Sequence, residues 1–220
     1  MNSSNAMLPT IHAATAMFPG FSPREAIRRI SEGVTEPLFG DVSTAEIQLC
    51  PQNPGWLSDK ACEELAAEFQ NTRFRLHANA PVQKRHRMLD ASTFSTDTHD
   101  YYRDLAERSR RLGARAYSLH AGYAENCDLP TMIDNIHRLQ DLFGPDCTVA
   151  VEGLYPNSHR PQLMDSWQAY EAVMRSGIAM AIDCSHLNIV ARKQRTCDTT
   201  LLNELVTAPN TVEVHISDNN

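Results

Sequence analysis

Short β-rich runs alternate with amphipathic stretches along the whole 220-residue chain, and no other feature narrows the available folds as far. The runs fall at residues 10–12, 45–49, 73–77, 115–120, 148–152, 178–183 and 211–216. Between them, helical periodicity is read over 22–31, 58–69, 98–112, 129–143, 163–176 and 198–206. Helix starts carry Ser, Thr or Asp as caps, as in Ser22-Pro23-Arg24-Glu25, where proline suits the first helical position. Gly33, Gly113, Gly144 and Gly177 stand where helices end, and the later ones recur about once per strand-helix unit.

Strands that alternate with helices imply a parallel sheet. Cys147-Thr148-Val149-Ala150-Val151 and Ile178-Ala179-Met180-Ala181-Ile182 are almost continuously apolar, the mark of strands covered on both faces. A doubly wound sheet is the rival arrangement, but no glycine-rich phosphate loop follows the first run. The expectation is an α/β fold, a parallel (β/α) TIM barrel, as one domain over 8–220. Seven strands are visible and the eighth is missing from this chain. The two sheet edges beside that gap would invite pairing with another copy of the chain.

Bulk properties remove other classes. Hydrophobic residues make up 42% and charged residues 21%, an ordinary globular composition. The longest apolar run, around Ile178 to Val190, is interrupted by Asp183 and His186, so no membrane span is expected. Met1 to Leu8 lacks the basic and apolar regions of a secretory signal. Six scattered cysteines, none in C-x-x-C spacing, suggest reduced thiols and a cytoplasmic location rather than a disulfide frame or zinc ribbon. A net charge of −7 argues against general nucleic-acid binding.

Barrel chemistry sits at the carboxyl ends of the strands. The third to seventh runs end in His77, His120, Glu152, Asp183 and His215. Glu152 and Asp183 each close an apolar run, where a carboxylate is costly to bury unless a metal, a cation or hydrogen-bond donors meet it. Arginine pairing or helix capping would also meet it. His77 and His120 could be hydrogen-bonded loop histidines. His186 could hold a ligand in place rather than be one, and His12 is read as structural. Glu152, Asp183 and His215 form a mixed oxygen and nitrogen site that Mn²⁺, Mg²⁺, Co²⁺ and Zn²⁺ all tolerate, with coordination positions left for substrate or water. Two basic loops are expected over it, Lys84-Arg85-His86-Arg87 and Arg192-Lys193-Gln194-Arg195, which suit an anionic substrate or are simply solvated. Phe18, Phe21, Trp56, Tyr123 and Tyr155 could wall a small-molecule pocket or pack down locally.

These residues lie in Arg75-Leu76-His77-Ala78-Asn79, Leu119-His120-Ala121-Gly122, Val151-Glu152-Gly153, Ile182-Asp183-Cys184-Ser185-His186-Leu187-Asn188 and Val214-His215-Ile216-Ser217-Asp218-Asn219. In their order and spacing the chain resembles the xylose-isomerase-like TIM-barrel superfamily, which holds sugar isomerases and epimerases together with endonuclease IV. The resemblance implies that Glu152, Asp183 and His215 bind a divalent metal, that Glu152 takes part in proton transfer and that His186 contacts substrate, as in ketose 3-epimerases. In the endonuclease IV branch His77, His120 and His186 would be ligands as well, in a three-metal cluster. Both branches draw a further glutamate from an eighth strand, and the nuclease takes an Asp and a His beyond the His215 motif. No position up to Asn220 matches them.

The leading expectation is metal-dependent isomerisation or epimerisation of a sugar, sugar phosphate or related hydroxy-carbonyl compound through an enediolate. Glu152 and His186 would be catalytic, and His186, Asn188, Arg192, Lys84 and Arg85 would contact an anionic or polyhydroxylated substrate. The alternatives are metal-dependent phosphodiester cleavage at abasic DNA, and a metal-binding barrel without turnover.

Overall fold

In the computed structural model, which describes residues 10–38, 40–80 and 89–216, the seven runs pair in chain order into one parallel sheet. Its strands are β1 (His12–Ala14), β2 (Ser43–Leu49), β3 (Arg73–His77), β4 (Ala116–His120), β5 (Thr148–Glu152), β6 (Met180–Asp183) and β7 (Thr211–His215). Among the described residues β1 and β7 are the two edges of this sheet.

Side-chain contacts prove that the sheet curls. Strands in a flat sheet stand ~4.8 Å apart, which would separate β2 from β7 by roughly 24 Å. Yet Gln48 on β2 lies 3.2 Å from His215 on β7, and Arg75 on β3 bonds Glu213 on β7 at 2.8 Å. The chain forms a half-barrel with these side chains inside the curve.

Alternation along each strand explains what faces where. On β3, Phe74 and Leu76 are buried under the helices while Arg75 and His77 point into the curve. Val149 and Val151 on β5 pack outward, leaving Glu152 inward. Burial of the outward rows against the helices, at ~25 cal/mol per Å² of apolar surface, is the main cohesive contribution.

Seven helices cover the sheet: α1 (Pro23–Ser31), α2 (Asp59–Glu68), α3 (His99–Leu112), α4 (Leu129–Phe143), α5 (Trp167–Ser176), α6 (Cys184–Gln194) and α7 (Thr199–Thr207). Ser22, Ser58 and Asp198, which stand at expected helix starts, cap α1, α2 and α7 with side-chain oxygens; Asp128 and Ser166 cap α4 and α5, and Thr98 makes no side-chain cap bond to α3.

Besides shifts of one or two residues in other bounds, four details differ from the sequence reading. The first strand is His12–Ala14 rather than 10–12, because Ala13 and Ala14 find register with Ile47 and Gln48. The fifth helix starts at Trp167, where Ser166 caps it, and not at residue 163. A two-strand hairpin, Thr35–Glu36 against Gly40–Asp41, was not expected. The fourth difference matters most: residues 192–194, expected in a loop, are the last turn of α6. Apolar residues at Leu187, Val190 and Ala191 give that segment its buried side, and Asp183 caps it.

Gly153, directly after Glu152, is required by packing. A Cβ there would fall well inside van der Waals contact of the Tyr170 ring, whose hydroxyl donates to Leu154 O at 3.0 Å. Tyr170 is fully buried and cannot retreat into solvent. Gly153→Ala should therefore destabilise the chain by about 1–3 kcal/mol, read as a lower urea midpoint at unchanged m-value.

Candidate metal centre

The inward row at the carboxyl ends of the strands gathers around one side chain. Glu152 is 1% exposed, with four imidazoles about its carboxylate. His77 Nε2 is 3.1 Å and His120 Nε2 4.0 Å from Oε2, while His186 Nδ1 is 3.5 Å and His215 Nδ1 3.4 Å from Oε1. His120 is the β4 register partner of Glu152, and His215 is the β7 partner of Asp183.

Hydrogen-bond accounting shows what the centre requires. His77 Nδ1 lies 3.1 Å from Ala78 O, and a carbonyl only accepts, so Nδ1 carries the proton. In a neutral ring His77 Nε2 is then bare, and it faces the carboxylate. The contact lacks hydrogen-bond geometry, and Glu152 Oε2 is a buried oxygen with no donor among the described residues. Two lone pairs at this spacing repel unless a positive species lies with them: a second proton on the ring, or a metal ion. His186 differs: its Nδ1, the nitrogen nearer Glu152, donates to Gly153 O at 2.9 Å, which leaves Nε2 as an acceptor.

The electrostatics agree. Burial by itself raises the Glu152 carboxyl, but His215 and His77 outweigh it and hold the group well below the ordinary carboxylate range. His215 moves the other way: burial lowers it, contact with Glu152 and Glu213 raises it more, and it is pushed up to about 10. His77 is raised by Glu152 against its own burial. His120, more distant, is pushed down to about 4, chiefly by burial. Without a metal, positive charge on His215 offsets the carboxylate from the Oε1 side. A divalent ion would take over that role.

Two groups of side chains are compact enough to share an ion: His77, Glu152 and His215, and Glu152, Asp183 and His186, each with ligand atoms within 4.8 Å of one another. Glu152 belongs to both. The sequence reading expected Glu152, Asp183 and His215 to share one ion, and these three do not form such a group: Asp183 joins Glu152 through His186, and His215 joins it through His77. Asp183 also has the capping role weighed as its alternative. Its Oδ1 accepts from the backbone N–H groups of Ser185 and His186 at 2.7 and 3.0 Å and from the Ser185 hydroxyl. An oxygen orphaned inside a set of imidazoles and carboxylates fits a divalent cation, and the abundance of imidazole suits Zn²⁺, Co²⁺ or Mn²⁺ better than Mg²⁺.

Other expected site residues are less concentrated. Asn188 is exposed on α6. Arg192 stands in the last turn of that helix, nine residues past Asp183, or ~13 Å along its axis. Lys84, Arg85 and the rest of their basic run lie outside the described residues. Among the aromatics, Tyr155 stacks edge-on against His186 with ring centroids 5.3 Å apart. Phe18 and Phe21 instead pack under Arg29, Trp56 under Arg108 and Tyr123 under Arg160. The sequence reading missed a second inward layer beneath the centre, made of Glu46, Gln48, Arg75, Ser118 and Glu213. Its signal was available: Arg75, Ser118 and Glu213 each precede a cluster histidine by two residues, so they share its face of the strand.

A curled parallel sheet alternating with helices is the fold of a set of solved TIM-barrel structures. The chain matches several of them along its length. A D-tagatose 3-epimerase-like protein superposes with a TM-score of 0.63 at 14% identity, over 96% of this chain and 77% of that one. An AP endonuclease of family 2 from Brucella melitensis gives 0.59 at 18% identity, over 96% and 80%. A D-allulose 3-epimerase from Methylomonas sp., solved with D-allulose, gives 0.60 at 14%, over 96% and 73%. Likeness at these identities establishes the fold. No protein-family model matches the chain, and no curated protein matches it in sequence. No helix among the described residues is long and apolar enough to cross a membrane.

The raised value of His215 has a measurable consequence. A histidine held above its ordinary 6.5 contributes stability that is fully present below about pH 6.5 and is lost as the pH climbs through about 10. The chain in EDTA should therefore unfold at progressively lower urea concentration between pH 6.5 and 9.5. Co²⁺ or Zn²⁺ should restore stability and release protons on binding, measurable by calorimetry in buffers of different ionisation enthalpy. A urea midpoint insensitive to both pH and metal would contradict this account of the centre.

Proposed function

We propose that the chain is a divalent-metal-dependent isomerase or epimerase of a sugar or related hydroxy-carbonyl compound. The observation that carries the reading is the donorless Oε2 of buried Glu152, faced by an imidazole nitrogen whose proton is committed elsewhere. The solved structures of similar fold that are named as 3-epimerases support it, one of them holding D-allulose.

A divalent ion at this centre would supply Lewis-acid polarisation of a carbonyl and a neighbouring hydroxyl, acidifying the carbon between or beside them. The chain's own groups would do the rest. Glu152 is the carboxylate placed to exchange a proton with that carbon, and its burial keeps water from competing. His186 Nε2, fixed as an acceptor by Gly153, would take a hydrogen bond from a substrate hydroxyl, with Tyr155 forming a flat wall beside it. Asn188 is a further candidate for a hydroxyl. Arg192, carried away by α6, favours an uncharged polyhydroxylated substrate over a phosphorylated one.

A second reading rests on the overlap of the two ligand groups at Glu152. One carboxylate shared by two ions suits hydrolysis of a phosphodiester, and the likeness to an AP endonuclease points the same way.

The experiment is proton exchange. With Mn²⁺ or Co²⁺ and a panel of ketohexoses in D₂O, the chain should incorporate deuterium at the carbon next to the carbonyl, and Glu152→Gln should lower the rate at least ~100-fold. Exchange that persists in the variant would remove Glu152 from the reaction. No exchange on any sugar, together with metal-dependent nicking of an abasic duplex, would transfer the assignment to the second reading.

A further inference from the structure

We propose that Glu213 is a positioning residue for His215, accepting a hydrogen bond on the far side of the ring and so fixing which nitrogen faces Glu152. The inference rests on the metal reading above. Glu213 and His215 alternate on β7 and share its inward face. The His215 ring lies between two carboxylates, with Nδ1 3.4 Å from Glu152 Oε1 and Nε2 3.3 Å from Glu213 Oε1. An ion held by Nδ1 leaves Nε2 protonated, and that proton needs a buried acceptor. Glu213 Oε1 is the acceptor in reach.

The neighbours of Glu213 favour this role. Gln48 Nε2 lies 3.2 Å from His215 Nε2 and 3.4 Å from Glu213 Oε1; an amide nitrogen only donates, so once His215 Nε2 carries a proton the Gln48 hydrogen goes to Glu213 Oε1. Gln48 Nε2 also reaches Ser118 Oγ at 3.4 Å. The other carboxylate oxygen is fixed separately, since Glu213 Oε2 accepts from Arg75 Nε at 2.8 Å. Arg75 is itself tied down, donating from Nη1 to Glu46 Oε2 at 2.8 Å and from Nη2 to Val212 O at 3.2 Å. Pairing with Arg75 accounts for one oxygen of Glu213 only; the other is turned to His215. A brace running from β2 through β3 to β7 thus ends on the imidazole and sets its orientation before any ion arrives.

The test compares two variants that each take one carboxylate from Arg75, only one of which also takes the acceptor from His215. By competition with a chromophoric chelator, Glu213→Gln should weaken Co²⁺ binding ~10–100-fold, the usual loss for a residue that orients a ligand, and Glu46→Gln less than about threefold. Equal losses would show that Glu213 serves only Arg75 and would overturn the proposal. A second measurement needs no variant and decides the matter if Glu213→Gln does not fold. In ¹⁵N-histidine-labelled wild-type chain loaded with ¹¹³Cd²⁺, the metal should couple to Nδ1 of His215 and Nε2 should carry a proton; ligation through Nε2 would overturn the assignment. A wild-type chain that binds neither Co²⁺ nor Cd²⁺ removes the metal reading and this inference together. Binding with equal losses removes only the role of Glu213.

Discussion

A carboxylate oxygen that is buried and has no hydrogen-bond donor is expensive, and the centre of this protein is organised around one. Glu152 stands at the end of a strand whose three preceding residues, Val149, Ala150 and Val151, are buried and apolar, so water cannot hydrate it cheaply. Three strands and one helix turn answer by presenting imidazoles. His77 has its Nδ1 proton committed to the backbone carbonyl of Ala78, so in its neutral form it meets Glu152 Oε2 with a lone pair rather than a donor. Proteins that merely stabilise a buried acid surround it with N–H groups. Leaving Oε2 without one is the arrangement expected where a cation is to be held.

The polar layer beneath follows from the curvature of the sheet. A sheet that closes only part of a circle leaves its inner face incompletely packed, and β-strand alternation delivers Glu46, Arg75 and Glu213 into that space. One guanidinium set between two carboxylates satisfies all three without water. The pairing also joins residues 138 positions apart in sequence, so it holds β3 and β7 at a fixed separation. The metal centre above inherits that separation, because His77 and His215 are the next inward residues on the same two strands.

Much of this was legible in the sequence, for identifiable reasons. The strands at 73–77 and 148–152 have the expected bounds because their apolar residues and their terminal His and Glu mark both burial and its end. The five strand-end residues do converge, since the fold directs every strand end to one face. The division of ligands was not legible: which histidine joins Asp183 depends on strand stagger and on the first turn of α6, and composition encodes neither. α6 itself was obscured by Arg192, Lys193 and Arg195, a charge run that looks like a loop, although its buried residues follow helical spacing. Glu213 was overlooked because attention stopped at the last residue of each strand, one step short of applying the two-residue alternation downward.

The open edge bears on how the centre behaves over time. Among the described residues β7 pairs with β6 alone, so of the strands that carry cluster residues it has the fewest described main-chain bonds to break before it lifts away. Lifting it would remove His215 from Glu152 while the other cluster residues stayed in place. Strand docking and ligation by His215 are therefore a single thermodynamic event seen from two ends. Whatever ion settles beside Glu152 also presses the sheet's free margin shut, and a chain caught with that margin ajar has one coordinating nitrogen fewer to offer.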